Sequence, residues 1–231
     1  MAASLTCRSI LAISATALLF FANSPTSTAQ PPLEDNPVPK LLENIESDNL
    51  RIAASAARSL GVVFSPGGKG GEEKGEATAA LIDKLSSPLG AKLREESARA
   101  LGRMRAKESL EAIKKAIDDE DVEVAIAAAE AAANILPVDD ARACLIERGG
   151  DDSENVKAAV YRAMSGIAKP EDAPFLIEGL SFDNWRVQQG AVQGLERSVR
   201  FGARIDAEVY DQVANVLGNE ILNASNAAVR Q

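Results

Sequence analysis

The residue types that most often perform catalysis or bind metals are scarce in this chain of 231 residues. It contains no histidine, so it lacks the commonest general base and the commonest transition-metal ligand. Of its two cysteines, Cys7 precedes an N-terminal apolar run and Cys144 lies in the segment ARACLIE. A lone cysteine in such a segment favours a small buried apolar residue, while a nucleophile, a chromophore attachment point and a dimer-forming thiol stay open. We therefore predict no catalytic, metal-binding or cofactor-binding residue.

One acidic segment has part of the spacing of a calcium-binding loop. In DDSENV the oxygen-bearing side chains of Asp151, Ser153 and Asn155 alternate. Such a loop also needs glycine in its sixth place and a bidentate glutamate in its twelfth. Val156 and Arg162 occupy those places here. The segment is therefore predicted to be a turn between helices that supplies capping residues.

The N-terminal segment 1–29 is predicted to be a secretory signal peptide. It carries one positive charge, Arg8, followed by the apolar run 10–22, which is shorter than the roughly 20 residues that span a bilayer. Small residues, Ser27 and Ala29, occupy the positions that a signal peptidase requires before its cut, so we expect cleavage after Ala29. The alternative is an uncleaved anchor. Residues 30–37 would then form a linker, and we expect an exported protein in a periplasmic or extracellular location.

The charge of the chain argues against two classes of partner. Its formal net charge is −9, and all 34 acidic residues follow the N-terminal segment. Nucleic acid and anionic membrane surfaces favour proteins of net positive charge. No later apolar run is long enough to span a membrane. We therefore expect another protein as the partner, with no nucleic acid and no membrane span after signal cleavage.

The rest of the chain is built from a repeated unit. Five Ala-rich segments end on a small or apolar residue, and successive ends are 41, 31, 32 and 31 residues apart. An aliphatic residue lies eight positions before each end, and an acidic or polar stretch comes before that. An apolar stripe at helical spacing comes earlier in every unit. The end residues are Leu60, Leu101, Ala132, Met164 and Leu195.

Each unit is predicted to be a helix, a short turn and a second helix. One pair cannot bury its aliphatic face alone, so the pairs stack into a solenoid. A Gly-rich insert at 65–75 explains the longer first spacing and is predicted to be a flexible loop, since its PGGKGG lacks the pattern of a phosphate-binding loop. The predicted array occupies 38–231, in units at about 38–63, 77–104, 107–136, 138–167 and 169–199 and a partial unit at 205–231.

Two of the turns have nearly the same sequence. DNLRIAASAARSLG starts at Asp48, and DNWRVQQGAVQGLE starts at Asp183. Both aspartates are predicted to be turn and cap residues at the start of the second helix of their units. Ile52 and Val187 are predicted to lie in the core.

These segments resemble the HEAT repeat family, in the short-period form of the phycobilisome-lyase-type HEAT-like repeats. LREESARALG, at 93–102, is the closest copy of the motif, and VKAAVYRAMS, at 156–165, follows with lysine in place of arginine. The resemblance implies an all-α fold, a right-handed α-solenoid of stacked antiparallel helix pairs. It also implies a protein-binding scaffold rather than an enzyme, with an accessory protein or lyase-like enzyme as the alternative. The His-Glu pairs that bind iron in HEAT-type hydroxylases are excluded, because there is no histidine.

The C-terminal segment 205–231 is predicted to be an incomplete sixth unit. IDAEVYDQVANVLGN would be its first helix, and NAAVRQ would start its second helix at Asn226. Repeat arrays normally end on a modified, polar repeat. We therefore expect a fragment, with a frayed half-unit as the alternative. A fragment would make this chain the regulatory end of a longer exported protein.

Candidate partner-binding residues lie on the second helices, which line the concave surface in such solenoids. Arginine and tryptophan are common anchors in interfaces. The alternative interpretation is structural: the cations pair with acidic neighbours between units, and the tryptophan covers the seam between the fourth and fifth units. The candidates are Arg51, Arg94, Lys157, Trp185 and Arg186.

Overall fold

The computed structural model describes residues 36–68, 71–88, 90–151 and 153–229, with side chains up to residue 218. From Pro37 onward these residues belong to one structural unit. The predicted signal peptide and most of the predicted linker lie outside the described residues and stay predictions. None of the described helices is long and apolar enough to cross a membrane.

The described residues form eleven α-helices and no strands, which confirms the all-α fold class. The first ten helices make five successive pairs, and short 3₁₀ turns at Lys107–Ser109 and Pro170–Asp172 lead into α5 and α9. In chain order the helices are α1 Val38–Ile45, α2 Leu50–Val63, α3 Lys74–Leu85, α4 Ala91–Met104, α5 Leu110–Ala116, α6 Val122–Ile135, α7 Val138–Gly149, α8 Glu154–Ile167, α9 Ala173–Gly179, α10 Trp185–Arg200 and α11 Ala207–Val229.

The even-numbered helices from α2 to α10 form a continuous row, in which each helix packs on the next. Each odd-numbered helix packs mainly on its own even-numbered partner and touches its odd-numbered neighbours much less. The end residues of the Ala-rich segments lie between the two rows and are buried. The structure therefore has the predicted stack of helix pairs, with the even-numbered helices as an inner row.

The inner row is closely spaced because small residues face one another. A Cβ atom at Gly61 would lie 2.6 Å from the Cα of Ala100, and a Cβ at Gly102 would lie 2.7 Å from the Cα of Ala131. Both distances are shorter than van der Waals contact allows, so these helices touch backbone to backbone. The glycine that follows leucine in the repeated ALG and SLG segments makes this approach possible.

The two similar turns before α2 and α10 are capped by asparagine rather than by the predicted aspartates. Asn49 and Asn184 have extended backbone angles, and each side chain accepts a hydrogen bond from the N–H two residues later, at 3.1 and 2.9 Å. The assignment of Asp48 and Asp183 as the caps is therefore wrong by one residue, since only the residue next to the helix can reach that N–H. Ser153 caps α8 in a similar way, so DDSENV is a capped turn as predicted.

The predicted core position Val187 is fully buried, but Ile52 is 44% exposed. In the later units this position packs toward the preceding helix pair. No described helix precedes α1, so the same face of α2 meets solvent. The core prediction for Ile52 is therefore wrong, because it assumed that every unit has a neighbour on both sides.

The segment after Ala207 differs from the predicted partial unit. A single helix, α11, runs to Val229, where a first helix and the start of a second were expected. No proline interrupts this stretch, and Gly218 keeps a negative φ, so nothing in the sequence ends the helix. Val209 and Val216 are its two buried residues among the described side chains.

Charged side chains also join successive units. Each pair links one unit to the next, and two of them are bidentate arginine–carboxylate pairs, the strongest geometry available to these groups. The pairs are Lys84 with Glu46 at 2.6 Å, Arg94 with Asp119 at 2.8 and 2.9 Å, and Arg142 with Asp172 at 2.7 and 2.6 Å.

Candidate functional site

The inner row carries a groove of about 500 Å³ that crosses α4, α6, α8 and α10. Its floor consists of buried small or apolar residues, and its walls are polar. The floor residues are Ile126, Ala127, Ala131 and Ala158. The wall residues are Arg99, Arg103, Glu123, Glu130, Asn134, Arg162, Trp185, Arg186 and Gln189. We call these thirteen residues the inner groove.

Much of the charged wall comes from one position of the repeat, two residues before the end residue of each Ala-rich segment. Two residues turn an α-helix by about 200°, so this side chain points away from the core that the end residue enters. Arg162, on α8, donates from Nε to Glu130 on α6 and from Nη1 to Gln193 on α10, both at 3.3 Å. The position therefore forms a polar ladder along the row, made of Arg58, Arg99, Glu130, Arg162 and Gln193.

Trp185 and Arg186 lie together at the start of α10. The guanidinium carbon of Arg186 is 4.7 Å from the centre of the Trp185 ring, which is cation–π geometry. Arg186 also reaches to 3.6 Å from Glu123 on α6, across the intervening helix α8. Helices that are not neighbours are joined in this way most easily where the row curves toward this side. Trp185 stays 52% exposed at the rim of the resulting concave face.

The arginines of α4 have N–H donors that form no hydrogen bond with the described residues. Arg99 forms an ion pair from Nη1 to Glu95 at 2.9 Å, and its Nε is buried without a hydrogen-bond partner among the described residues. Arg103 is exposed and makes no ion pair or hydrogen bond with a described residue. This end of the inner groove is therefore positively charged and able to accept further anionic partners.

The polar ladder continues beyond the inner groove at Arg58, which forms an ion pair from α2 to Glu96 on α4. Arg58 donates two hydrogen bonds to the buried Glu96, at 3.0 and 2.6 Å, and Lys92 lies 3.1 Å from the same carboxylate. The Arg58 hydrogen bonds, aided by Lys92, lower the pKa of Glu96 to about 2. The carboxylate therefore stays charged throughout the physiological pH range.

The five predicted binding residues do not form one surface. Trp185 and Arg186 line the inner groove, whereas Arg51 lies in a separate shallow cleft on α1 and α2. Arg94 is buried against Asp119 in the unit that follows. Lys157 is mostly buried, with its Nζ 4.8 Å from the centre of the Phe182 ring. For Arg94 the structure has the alternative arrangement, an ion pair between units.

Sequence reasoning missed the arginines and glutamates that make up most of the groove walls. The signal was present at the position two residues before each end residue, where Arg99, Glu130 and Arg162 recur at the period of the repeat. The predicted residues Arg51 and Arg94 lie instead near the turns, at the starts of their helices.

Groups that could perform chemistry lie elsewhere or are missing from the groove. Cys144 is half-buried on the outer helix α7 and does not line the inner groove. Within the described ranges, no cluster of three or more Cys, Asp or Glu side chains is arranged to hold a metal ion. The groove is a polar surface with an aromatic rim.

Comparison with known proteins agrees with this architecture. Residues 114–196 match the family model of HEAT repeats. No curated protein sequence matches the chain. A chain of the complex of CpcE and CpcF of phycocyanin lyase from Nostoc sp. has 22% identity and a TM-score of 0.52, with 78% of this chain and 76% of that chain covered.

A second solved structure has a similar fold at lower identity. It is a chain from a structure that describes microtubule plus end tracking by XMAP215, CLIP-170 and EB1. The two chains have 10% identity and a TM-score of 0.51, with 78% of this chain and 89% of that chain covered. Likeness at such identities concerns the fold alone. Together with the family match over residues 114–196, it supports the HEAT-like repeat fold that the sequence predicted.

Proposed function

We propose that this protein is a non-catalytic binding module that holds a protein partner in its inner groove. The observation that carries the proposal is the exposed Trp185–Arg186 pair at the rim of a concave, charged surface. Buried interface anchors are most often tryptophan, tyrosine and arginine. A large aromatic ring that is half exposed to water is unfavourable, and a partner that covers the ring would remove its exposed apolar area from water.

The composition of the groove supports binding rather than catalysis. Its polar side chains belong to arginine, glutamate, asparagine, glutamine and tryptophan. Catalysis by acyl or proton transfer usually needs a nucleophile paired with a base, and the sequence offers no histidine for that pairing. The half-buried thiol of Cys144 lies on the other row of helices.

We also propose that the protein acts outside the cytoplasm. The short apolar run after Arg8 and the small residues before Ala29 support this location. Intact-mass measurement of the protein from its native source tests it, because signal cleavage would leave glutamine 30 as the first residue. A mass that retains residues 1–29 would contradict export by this route.

The binding function is tested by capture of partners from the native source with the mature protein as bait. We expect a stoichiometric protein partner that is lost when Trp185 and Arg186 are both changed to Ala. Arg200→Ala is the matched control, because Arg200 lies on the same helix, pairs only with Glu196 and does not line the groove. A partner that survives the double change would show that binding uses another surface.

An accessory role of the lyase type is the second candidate, supported by the fold likeness to a chain of phycocyanin lyase. It predicts a captured partner, or a bait, whose mass includes a covalently attached chromophore. The regulatory end of a longer polypeptide predicts instead a native mass well above that of residues 30–231. The intact-mass measurement therefore separates both alternatives from a free-standing binding module.

A further inference from the structure

The inner groove carries a charge opposite to that of the protein as a whole. Four arginines and two glutamates line it, whereas the chain has a net charge of −9. We propose that the groove binds an extended acidic segment of a partner protein, whose carboxylates pair with the arginines and whose apolar residue covers Trp185. This inference rests on the proposed function and specifies the chemistry of the partner.

The arginines of α4 are the groove cations most available to a ligand. Arg103 is exposed and has no partner among the described residues, and Arg99 has a buried Nε without a hydrogen bond. A guanidinium group presents its donors in a planar fork that matches a carboxylate. Arginine has five N–H donors, and the ion pair of Arg99 with Glu95 involves only Nη1, so donors remain for a second carboxylate.

The arginines of α8 and α10 are held only loosely. Arg186 is 3.6 Å from Glu123, beyond hydrogen-bond distance, and Arg162 divides its donors between Glu130 and Gln193 at 3.3 Å. Each of these guanidinium groups therefore has N–H donors to offer a ligand. Glu123 and Glu130 keep them in place in the free protein and disfavour a ligand with anions at every position.

The dimensions of the groove fit an extended peptide. Four helices with axes 8–10 Å apart give a length of about 25–30 Å. An extended chain rises about 3.3 Å per residue, so about eight or nine residues cover that distance. Arg99 and Arg103 lie at the α4 end and Trp185 at the α10 end. The acidic residues of the ligand are therefore expected at one end and its apolar residue at the other.

A protein segment fits this surface better than a nucleic acid. A nucleic-acid backbone carries a negative charge on every nucleotide, so some of its phosphates would lie against the carboxylates of Glu123 and Glu130 and be repelled. Single-stranded nucleic acid also favours several aromatic stacking platforms, and the groove provides only the ring of Trp185 within the described residues. The net charge of −9 further weakens the approach of a long polyanion.

The experiment uses fluorescence of Trp185, the single tryptophan of the chain. The probes are blocked peptides of about 12 residues, long enough to span the groove. One has Asp and Glu at its first six positions and a leucine near its end; a second has Asn and Gln in place of the acids; a third has Lys. We expect saturable binding of the acidic peptide alone, weakened at least about tenfold when salt rises from about 50 to 500 mM.

Charge reversal within the groove provides the matched variants. Arg103→Glu removes an exposed cation that forms no hydrogen bond or ion pair with a described residue, so the fold should be retained, and acidic-peptide affinity should fall about tenfold. Arg200→Glu, outside the groove on α10, should leave the affinity unchanged. The double variant Arg103→Glu, Arg162→Glu should bind the Lys peptide, which the original protein does not bind.

Each contrary result has a distinct meaning. Equal binding of the Asn/Gln peptide, or tighter binding of a single-stranded oligonucleotide, would overturn the acidic-segment inference. So would a failure of every peptide to bind. If partner capture from the native source still depends on Trp185 and Arg186 in these cases, the proposed function stands without the inference. If capture is also independent of both residues, the proposed function and the acidic-segment inference are both contradicted.

Discussion

Glu96 and Arg142 are among the charged side chains that are almost completely withdrawn from solvent, and each is stabilised by an opposite charge from another helix pair. Burial of a lone charge is strongly unfavourable, so each of these groups depends on its partner. Their interactions are therefore more consequential for folding than the many exposed ion pairs on the surface, which typically contribute little.

The pair of Arg58 and Glu96 makes stability depend on pH. The pKa of Glu96 is lowered to about 2 in the folded protein, chiefly by its hydrogen bonds from Arg58, whereas an unfolded glutamate titrates near 4.5. A lowered pKa means that the unfolded state takes up the proton first as pH falls. The stabilisation is thus complete above about pH 4.5 and is lost progressively between that pH and about 2.

Glu96→Gln is expected to lower the free energy of unfolding by about 1–2 kcal/mol at pH 7, because it removes the charge from two hydrogen bonds. The loss should shrink as pH falls toward 2, where the original carboxyl also becomes neutral. Chemical denaturation at several pH values measures it. Glu111→Gln is the control, since Glu111 is exposed and pairs only with Lys114 of its own helix. A difference between Glu96→Gln and the original protein that is constant from pH 7 to pH 2 would contradict the assignment.

Arg142→Ala tests the outer seam between the fourth and fifth helix pairs. It would leave the buried carboxylate of Asp172 with only the backbone N–H of Lys169 as a partner, at 2.8 Å. We expect a loss of about 3 kcal/mol in unfolding free energy. Arg200→Ala makes the same change at an exposed ion pair and should alter the free energy of unfolding by less than about 0.5 kcal/mol. Equal effects of the two changes would show that burial of the pair does not matter.

At the scale of the helices, the spacing of the inner row is set by residues that lack bulk. Gly61 and Gly102 bring α2, α4 and α6 into backbone contact, and Gly190 lies against the backbone at Tyr161 on α8. A helix pays for an interior glycine with conformational entropy, so glycine persists there where a side chain would push the neighbouring helix away.

Gly102→Ala is expected to destabilise the protein by about 1–3 kcal/mol, because its new methyl group would lie 2.7 Å from the Cα of Ala131. Gly166→Ala is the matched control on α8, where a Cβ would meet nothing within 4 Å and φ is not positive. That change should stabilise the protein by about 0.5–1 kcal/mol through helix propensity. Thermal unfolding of both variants measures the difference, and stabilisation by Gly102→Ala would refute the close contact.

The period of the sequence was sufficient to predict the helix pairs, because each end residue, from Leu60 to Leu195, must be buried at the same place in its unit. It was not sufficient to predict the groove. Whether a cation such as Arg94 binds a partner or a neighbouring unit depends on where Asp119 lies, which is a tertiary relation. Likewise, Arg186 meets Glu123 across α8, a contact between helices two apart in the row that the repeat pattern does not specify.

At the scale of the whole described unit, stability is distributed unevenly along the row. In a linear array each helix pair is supported only by its neighbours, so the ends open more easily than the middle. Helix α6 packs between α4 and α8 and is buried along most of its length. Helix α11 contacts the array mainly through α10 and buries only Val209 and Val216 among its described side chains.

Hydrogen exchange should therefore rank the helices by their position in the array. We expect amides of α6 and α8 to exchange slowest, by global unfolding, and those of α11 to exchange fastest, by local opening. An acidic peptide in the inner groove should slow exchange in α4, α6, α8 and α10 together and leave α11 unchanged, because the groove involves none of its residues. Uniform exchange along the chain would instead mean that the array unfolds as a single cooperative unit. Protection of α11 by the peptide would mean that the ligand also covers the C-terminal helix, and the binding surface would have to extend beyond the four groove helices.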